Sequence, residues 1–287
     1  MRGRAAARAG FARVMGAAVR REALLLAVAL QFLTRVPLPA PLARRMGWDP
    51  GWLNDSARHF PLVGLGVGAV GAAVLAAAAA LWPPPVAVGL SMAATLLFTG
   101  AFHEDGLADC VDGLGGAVDR ARALAIMKDS RIGSYGALAL LGVLGLKAAA
   151  LSALPLGWAA ASLCVGHTLS RTVAVVLIRA LPYAGDPEQS KAKPLARRVS
   201  AAGLAVACGW SALVLVAGVA LQAGVAPHAV PDAAAWAAAL AAAVATGAAC
   251  ARWFRRRLGG ITGDTLGAAQ QLSELAVHLA VLAMLGR

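Results

Sequence analysis

Residues 61–82 are PLVGLGVGAVGAAVLAAAAALW, a run without a charged side chain and rich in Gly and Ala. A helix needs about 20 consecutive apolar residues to cross a bilayer. Small side chains also allow helices to approach each other closely in lipid. This run therefore predicts a membrane-spanning helix that packs tightly against its neighbours.

Comparable apolar runs recur along the chain, which is 60% hydrophobic and only 14% charged. A soluble domain of 287 residues could not bury that much apolar surface in one core. We predict an all-α fold, a polytopic membrane helical bundle of about seven spans. The predicted spans cover residues 61–82, 86–102, 136–156, 158–181, 201–223, 233–252 and 266–286.

The segment before the first span divides into two parts. Residues 1–22 are Arg-rich and are predicted to form a basic cytoplasmic arm. The apolar stretch Ala23–Leu33 is too short to span and lacks a small-residue cleavage site, so we predict an interfacial or re-entrant helix there. Residues 23–287 are predicted to form a single transmembrane catalytic domain.

The net charge of +12 is concentrated in the gaps between some of the apolar runs. Nearly all Lys and Arg lie in residues 1–60, 103–135, 182–200 and 252–265. This distribution indicates positive-inside topology and attraction to anionic lipid and phosphate ligands, not nucleic-acid binding. We predict a multi-pass protein of the bacterial inner membrane, with a cytoplasmic N-terminus and these polar loops together on the cytoplasmic side. The four scattered cysteines show no zinc-ligand spacing.

An acidic strip lies between the second and third predicted spans. Six of the 14 acidic residues fall within Glu104–Asp129. Asp105, Asp109 and Asp112 stand at i, i+4 and i+7, so a helix continuing the second span would carry three carboxylates on one face. Their repulsion would be relieved by a divalent cation, for which we predict magnesium. A solvated acidic loop or a calcium loop are the alternatives, although EF-hand spacing is absent.

The acidic strip ends in a mixed-charge segment that opens the third span. Asp129 is flanked by Lys128 and Arg131. Next to three carboxylates, a fourth Asp and two cations favour a phosphate clamp that shares the metal. The alternative is a topological anchor at the start of the span.

Near the C-terminus, residues 259–263 form a Gly-rich loop that leads into the last span. Asp264 or Thr265 is predicted to cap this helix, and the backbone around Gly263 could hold a phosphate. Asp264 is also a candidate metal ligand or general base. A second basic segment either sets the membrane topology or attracts an anionic substrate. It contains Lys191, Lys193, Arg197 and Arg198.

Some polar residues lie inside or beside apolar spans. Lys147 and Arg171 are predicted to face the bundle interior, because a charge facing lipid is costly. Arg171 would meet a phosphate or an Asp, and Lys147 is either a substrate contact or an ion-pair partner. His103 directly precedes the acidic pair and is a candidate catalytic residue, whereas His167 is predicted to be structural.

Five motifs occur in one order from about Leu24 to the C-terminus. They are FLTRVPLP (32–39), HFPLVGLGVG (59–68), FHEDGLADCVDG (102–113), MKDSRIGSYG (127–136) and GGITGDTLGA (259–268). In these motifs the chain resembles the cobalamin synthase (adenosylcobinamide-GDP ribazoletransferase) family. The resemblance implies magnesium-dependent joining of adenosylcobinamide-GDP to α-ribazole or its 5′-phosphate, with release of GMP, late in cobalamin biosynthesis.

A more distant resemblance is to the CDP-alcohol phosphotransferases. Asp109-Cys-Val-Asp112-Gly113 fits the start of their aspartate motif, but the Ala-Arg pair is missing and Gly133 stands at the position of the last aspartate. A phospholipid-headgroup transferase of that class is therefore one alternative function. A membrane transporter is the other, with Lys147, Arg171 and the acidic strip lining its pathway. The sequence leaves the oligomeric state open, a homo-oligomer included.

Our hypothesis for the reaction assigns roles to the polar residues. The magnesium ligands are Asp105, Asp109, Asp112 and Asp129. The candidates for catalytic groups are Asp105, Asp129, Asp264 and His103. The candidates for substrate binding are Lys128, Arg131, Arg171, Lys147, Gly263 and Thr265. The sequence does not distinguish which of these carboxylates is the general base.

Overall fold

The computed structural model describes residues 2–38, 50–185, 196–225 and 232–286. Within these ranges the chain is helical and has no β-strand, apart from an isolated bridge between Tyr183 and Ile261. The all-α prediction is confirmed. The α-helices are α1 Arg2–Leu33, α2 Pro50–Ser56, α3 Phe60–Ala79, α4 Pro84–Thr99, α5 Phe102–Gly116, α6 Arg120–Ile126, α7 Ser134–Ala153, α8 Leu156–Ala180, α9 Ala201–Val225, α10 Asp232–Leu258 and α11 Gly263–Leu285.

Six helical stretches in the described residues are long and apolar enough to cross a membrane. A seventh is obtained when α4 and α5 are counted as one bent span. Each predicted span coincides with a helix, so the predicted bundle of about seven spans is confirmed. The second span differs from the prediction, because α4 has only 16 residues and α5 leaves it at an angle of 88°.

The backbone at Gly100 and Ala101 causes this bend. Both residues are left-handed, with φ of 69° and 55°. The backbone N–H of Arg35 donates to the carbonyl of Phe98, and the Arg35 side chain fills the space that a Cβ on Gly100 would need. The acidic helix α5 is therefore not a straight continuation of the helix of the second span, which corrects the sequence prediction. The i, i+4, i+7 spacing of its aspartates still falls within one helix.

The centre of the bundle is the close packing of α3 against α8. A Cβ on Gly64 would clash with the carbonyl oxygen of His167, and one on Gly68 would lie 2.6 Å from the Cα of Cys164. These two glycines are four residues apart, the spacing that brings small residues onto one helix face. The contact depends on the absence of side chains at both positions, as the Gly-rich first span predicted.

The N-terminal helix α1 is continuous from Arg2 to Leu33 and does not break at the predicted boundary after residue 22. Glu22 ties it to the start of the bundle. One carboxylate oxygen of Glu22 accepts from Arg58 at 3.1 Å, and the other lies 2.9 Å from His59 Nε2. The division into an arm and a catalytic domain stays a prediction.

Candidate active site

Arg120 joins the three polar loops that the sequence analysis placed on one side of the membrane. This side chain, at the start of α6, donates to the carbonyl of Leu258 at 2.8 Å and to that of Ala184 at 2.7 Å. Arg257 makes the reverse contact, donating to the carbonyl of Ala117 at 2.7 Å. The described segments 103–135, 182–185 and 252–265 therefore meet at one end of the bundle, as predicted for these loops.

The acidic helix α5 packs directly on the start of α11. A Cβ on Gly106 would lie 3.2 Å from the Cα of Asp264 and 3.3 Å from the Cα of Gly267. This close approach sets Asp264 beside the helix that carries Asp105 and Asp109. Asp105 is exposed and Asp109 is half-buried.

The environment of Cys110 supports the same grouping. The charges of Asp109 and Asp264 both act on its buried thiol, so both carboxylates lie in the neighbourhood of one side chain. Asp109 and Asp264 come from helices that are far apart in sequence. The packing of α5 on α11 therefore brings together two of the carboxylates predicted for the site.

Asp112 has a different environment from the other aspartates of α5. It is buried, and its two carboxylate oxygens accept from the backbone N–H groups of Gly133 at 2.7 Å and Gly136 at 2.8 Å. These N–H groups belong to the N-terminus of α7, where backbone donors have no partner within the helix. Asp112 thus caps α7 from a distant part of the chain. Its predicted role as a metal ligand stays a prediction.

Asp129 and Arg131 form an exposed ion pair. The guanidinium of Arg131 donates through Nε to one oxygen of Asp129 at 3.0 Å and through its terminal nitrogen to the other at 2.6 Å. These hydrogen bonds lower the pKa of Asp129 from 3.8 to about 2. The two charges predicted to share a phosphate clamp are therefore in contact with each other. Lys128 beside them is exposed.

The N-terminus of α11 is capped by Thr262, not by Asp264 or Thr265 as predicted. The hydroxyl of Thr262 accepts from the N–H of Thr265 at 3.2 Å, and the hydroxyl of Thr265 accepts from the N–H of Thr262 at 2.8 Å. This reciprocal capping box uses the buried Thr265 side chain structurally. Asp264 is left in the first turn, with Gly263 before it bordering open space.

A second group of charged residues lies inside the bundle and centres on Glu274 of α11. Lys147 Nζ of α7 is 2.5 Å from one Glu274 oxygen, and His167 Nδ1 of α8 is 2.9 Å from the other. Glu274 is 0% exposed and Lys147 5% exposed. The structure thus shows Lys147 in an ion pair, and the structural role of His167 stays a prediction.

Glutamines connect this buried group to the acidic helix. Gln271 accepts from Lys147 at 3.2 Å and donates to Glu104 at 2.7 Å, while Gln270 donates to Glu274 at 2.6 Å. Glu104 precedes Asp105 at the start of α5. A continuous chain of hydrogen bonds therefore runs from the centre of the bundle to the base of the candidate site.

His103 and Arg171 lie in the bundle interior and not at the open face of α5. His103 is 5% exposed and Arg171 2% exposed. Arg171 donates to the carbonyl of His167 at 3.0 Å. His103 and Asp105 are two residues apart on one helix, and such positions do not share a face. The structure therefore does not bring Lys147, Arg171 or His103 to the surface that carries Asp105.

The acidic and amide side chains of the last span were not among the predicted site residues. Gln270, Glu274 and His278 stand at i, i+4 and i+8, a polar stripe on an otherwise apolar helix. His278 lies 2.7 Å from the hydroxyl of Ser162, close to Glu274. This stripe was visible in the sequence. Polar groups in a span normally face a partner, so it could have been matched to Lys147 and His167.

Across the part of the chain that the structure describes, no three His, Cys, Asp or Glu side chains are gathered tightly enough to hold a metal ion. The predicted magnesium site stays a prediction. Asp105, Asp109 and Asp264 supply carboxylate oxygens, the hard ligands that magnesium prefers. These residues fit the predicted ion in donor type and in their common position at the α5–α11 junction.

Comparisons with known proteins identify the relatives of the chain. Residues 25–282 match the family model described as "Cobalamin-5-phosphate synthase". The chain is 57% identical to the adenosylcobinamide-GDP ribazoletransferase of Leptothrix cholodnii, covering 93% of this chain and 98% of that protein. It is 46% identical to the same-named protein of Albidiferax ferrireducens (88% and 95% covered). For that of Vibrio cholerae the identity is 41% (94% and 98% covered).

No solved structure gives a significant match. The family model nevertheless spans nearly the whole chain and includes every helix from α2 to α10, together with most of α11. The resemblance drawn from the five sequence motifs is confirmed. This chain belongs to the cobalamin-5-phosphate synthase family.

Proposed function

We propose that this chain joins adenosylcobinamide-GDP to α-ribazole or its 5′-phosphate, releasing GMP and forming adenosylcobalamin or its 5′-phosphate. The observation that carries the proposal is its 57% identity to a protein named adenosylcobinamide-GDP ribazoletransferase, along almost the full length of both chains. The contacts of Arg120 and Arg257 between the polar loops at one end of the bundle support a site there. Family membership favours this reaction over the transporter and headgroup-transferase alternatives.

The reaction is a displacement at phosphorus. A ribose hydroxyl oxygen of α-ribazole forms a new bond to the phosphorus next to the cobinamide. The bond from that phosphorus to the bridging oxygen breaks, and GMP leaves with that oxygen. The hydroxyl proton passes to a base. Since such reactions depend mainly on positioning and charge stabilisation, the carboxylates and cations of the site would do most of the work.

We assign the binding of magnesium to Asp109 and Asp264, with Asp105 close to them on α5. When bound, the ion would neutralise charge on the pyrophosphate. Asp112 supports this arrangement, because its hydrogen bonds hold the start of α7 against α5. Lys128 is exposed on the loop before α7. In this proposal its ammonium group contacts the phosphate of the departing GMP.

We propose Asp105 as the general base. It is exposed in the first turn of α5, where an acceptor hydroxyl can reach it. Asp129 is a poor candidate, since a carboxyl with a pKa of about 2 has little tendency to take a proton near neutral pH. Asp264 would then serve as a metal ligand and not as the base.

We further propose that the site faces the cytoplasm of a bacterium, with the bundle in the inner membrane. The support is the basic residues at this end, including Arg255 and Arg256 in the last turn of α10. Protease protection of terminal tags tests the orientation. A tag at Met1 should be cleaved in inverted inner-membrane vesicles and protected in spheroplasts; the opposite pattern contradicts it.

The residue assignments are tested by turnover of Asp105→Asn, Asp109→Asn and Asp264→Asn, purified in detergent. Each should lower kcat by about 100-fold or more, as expected for lost ligands or bases. Asp55→Asn is the matched control, because Asp55 pairs with Arg21 on the N-terminal side of the bundle. Full metal-dependent turnover in all three site variants would refute the assignments.

A further inference from the structure

A pocket of about 650 Å³ opens beside the end of α8. Its walls are the segments 178–183 and 197–199. Three arginines line it together with one tyrosine: Arg179, Arg197, Arg198 and Tyr183. None of these side chains takes part in the reaction proposed above.

The tyrosine wall is fixed by backbone hydrogen bonds to the loop before α11. Ile261 donates to the carbonyl of Pro182 at 2.9 Å, and Ala184 donates to the carbonyl of Ile261 at 2.8 Å. Tyr183 between them pairs with Ile261 as a short parallel bridge. The pocket is thus attached to the segment that leads to Asp264, three residues after Ile261, and lies next to the candidate active site.

The backbone of the arginine wall is also fixed by hydrogen bonds. The side-chain oxygen of Asn54 accepts from the backbone N–H of Arg197 at 2.7 Å and from that of Arg198 at 3.1 Å. The guanidinium of Arg197 lies 4.7 Å above the centre of the Tyr183 ring. The backbone of two neighbouring arginines is therefore held in place by a residue of α2. Such pre-organisation lowers the entropic cost of binding.

The charge of this pocket is not balanced within the described ranges 2–38, 50–185, 196–225 and 232–286. The arginines that form salt bridges within 4.0 Å are Arg21, Arg58 and Arg131. The three arginines of the pocket form none in these ranges. Three guanidinium groups around one cavity repel each other and favour an anion between them. The planar donors of arginine match phosphate oxygens in pairs, and the tyrosine hydroxyl adds a further donor.

We propose that this pocket is a phosphate-binding site, separate from the carboxylates of α5 and α11. The ligand is a phosphate mono- or diester. That chemistry is shared by a nucleotide and by the headgroup of an anionic phospholipid, and the pocket lies at the end of a spanning helix where either can arrive. The site requires no metal, and the proposal stands independently of the transfer reaction.

The test uses the full-length protein in a neutral detergent with EDTA, so that metal-assisted binding at the carboxylates does not contribute. One arm measures equilibrium binding of AMP, a nucleoside monophosphate that is neither a substrate nor a product of the proposed transfer. The other measures the rise in melting temperature on adding short-chain phosphatidylglycerol, compared with short-chain phosphatidylcholine. Wild type, Arg198→Gln and Arg179→Gln are compared with Arg256→Gln. This control removes the same charge from an exposed position on α10.

If the ligand is a nucleotide, Arg198→Gln and Arg179→Gln should each weaken nucleotide binding about tenfold. If the ligand is a lipid headgroup, the two variants should lose the rise in melting temperature caused by phosphatidylglycerol. In both cases Arg256→Gln should match wild type. The arm that responds identifies the source of the phosphate. Arg179 and Arg198 are exposed, so both variants should keep the wild-type melting temperature without ligand. Equal responses of all three variants, or no response in either arm, would overturn the proposal.

Discussion

Gly106 of α5 and Gly267 of α11 pack backbone against backbone. A Cβ on Gly106 would lie 3.3 Å from the Cα of Gly267, and a Cβ on Gly267 would lie 3.1 Å from the Cα of Gly106. The close approach of these helices sets the separation between Asp264 and the aspartates of α5. The geometry of the candidate site therefore depends on two residues without side chains.

Gly106→Val should force α5 away from α11 and strongly reduce turnover. Overpacking of this kind costs about 1–3 kcal/mol of stability, and small displacements of reacting groups can cost about 100-fold in rate. Gly145→Val is the control, because Gly145 is a glycine of α7 with open space around it. Both turnover and melting temperature should be lower in Gly106→Val than in Gly145→Val. Equal turnover in the two would show that the α5–α11 contact does not position the site.

Asp112→Asn should lower stability more than Asp109→Asn does. The Asp112 carboxylate accepts from two backbone N–H groups of α7, whereas an amide can accept at only one of these positions. The loss of one such bond to a charged acceptor is worth about 1–3 kcal/mol. Thermal unfolding in detergent measures this difference. A larger loss of stability in Asp109→Asn would contradict the capping role of Asp112.

The acidic limb of the pH–rate profile should not come from Asp129. Its pKa is lowered from 3.8 to about 2, so the ionised form is favoured in the folded protein. The stability contributed by its pair with Arg131 is present above pH 3.8 and is lost only as the pH falls towards 2. Asp129→Asn should therefore leave the profile between about pH 5 and 8 unchanged in shape. A shift of the acidic limb in this variant would assign the base to Asp129.

Lys147 and Glu274 should show strong coupling in a double-mutant cycle. Lys147→Met alone leaves the fully buried Glu274 with its charge uncompensated, which costs about 3–5 kcal/mol. Adding Glu274→Gln removes that charge and should recover part of the loss. Unfolding free energies of the two single variants and the double variant give the coupling. Additive losses would show that the ion pair is energetically unimportant.

Much of the fold follows from apolar runs alone, because a helix in lipid must satisfy its own backbone. Residues 61–82 predicted α3 and its tight packing, which the contact of Gly64 with His167 confirms. The bend between α4 and α5 could not be predicted in this way. It arises from two consecutive left-handed residues, one of them an alanine, and from the contact of Arg35 with Gly100.

The site was predicted better in its location than in its contacts. Spacing along the sequence placed Asp105 and Asp112 on one face, but it could not show that Asp112 turns towards α7 while Asp105 stays exposed. The pairing of charges that are close in sequence could not be predicted either. Arg131 is close enough in sequence to satisfy Asp129, and the sequence does not distinguish that pairing from a shared phosphate.

The transfer reaction is measured most directly by the release of GMP. Purified wild-type protein is incubated with adenosylcobinamide-GDP, α-ribazole and magnesium, and GMP is quantified together with the corrinoid product. The proposed function predicts one GMP for each adenosylcobalamin formed, with no release when α-ribazole is omitted or magnesium is chelated. GMP release that is independent of α-ribazole, or its absence with all three components present, would contradict it.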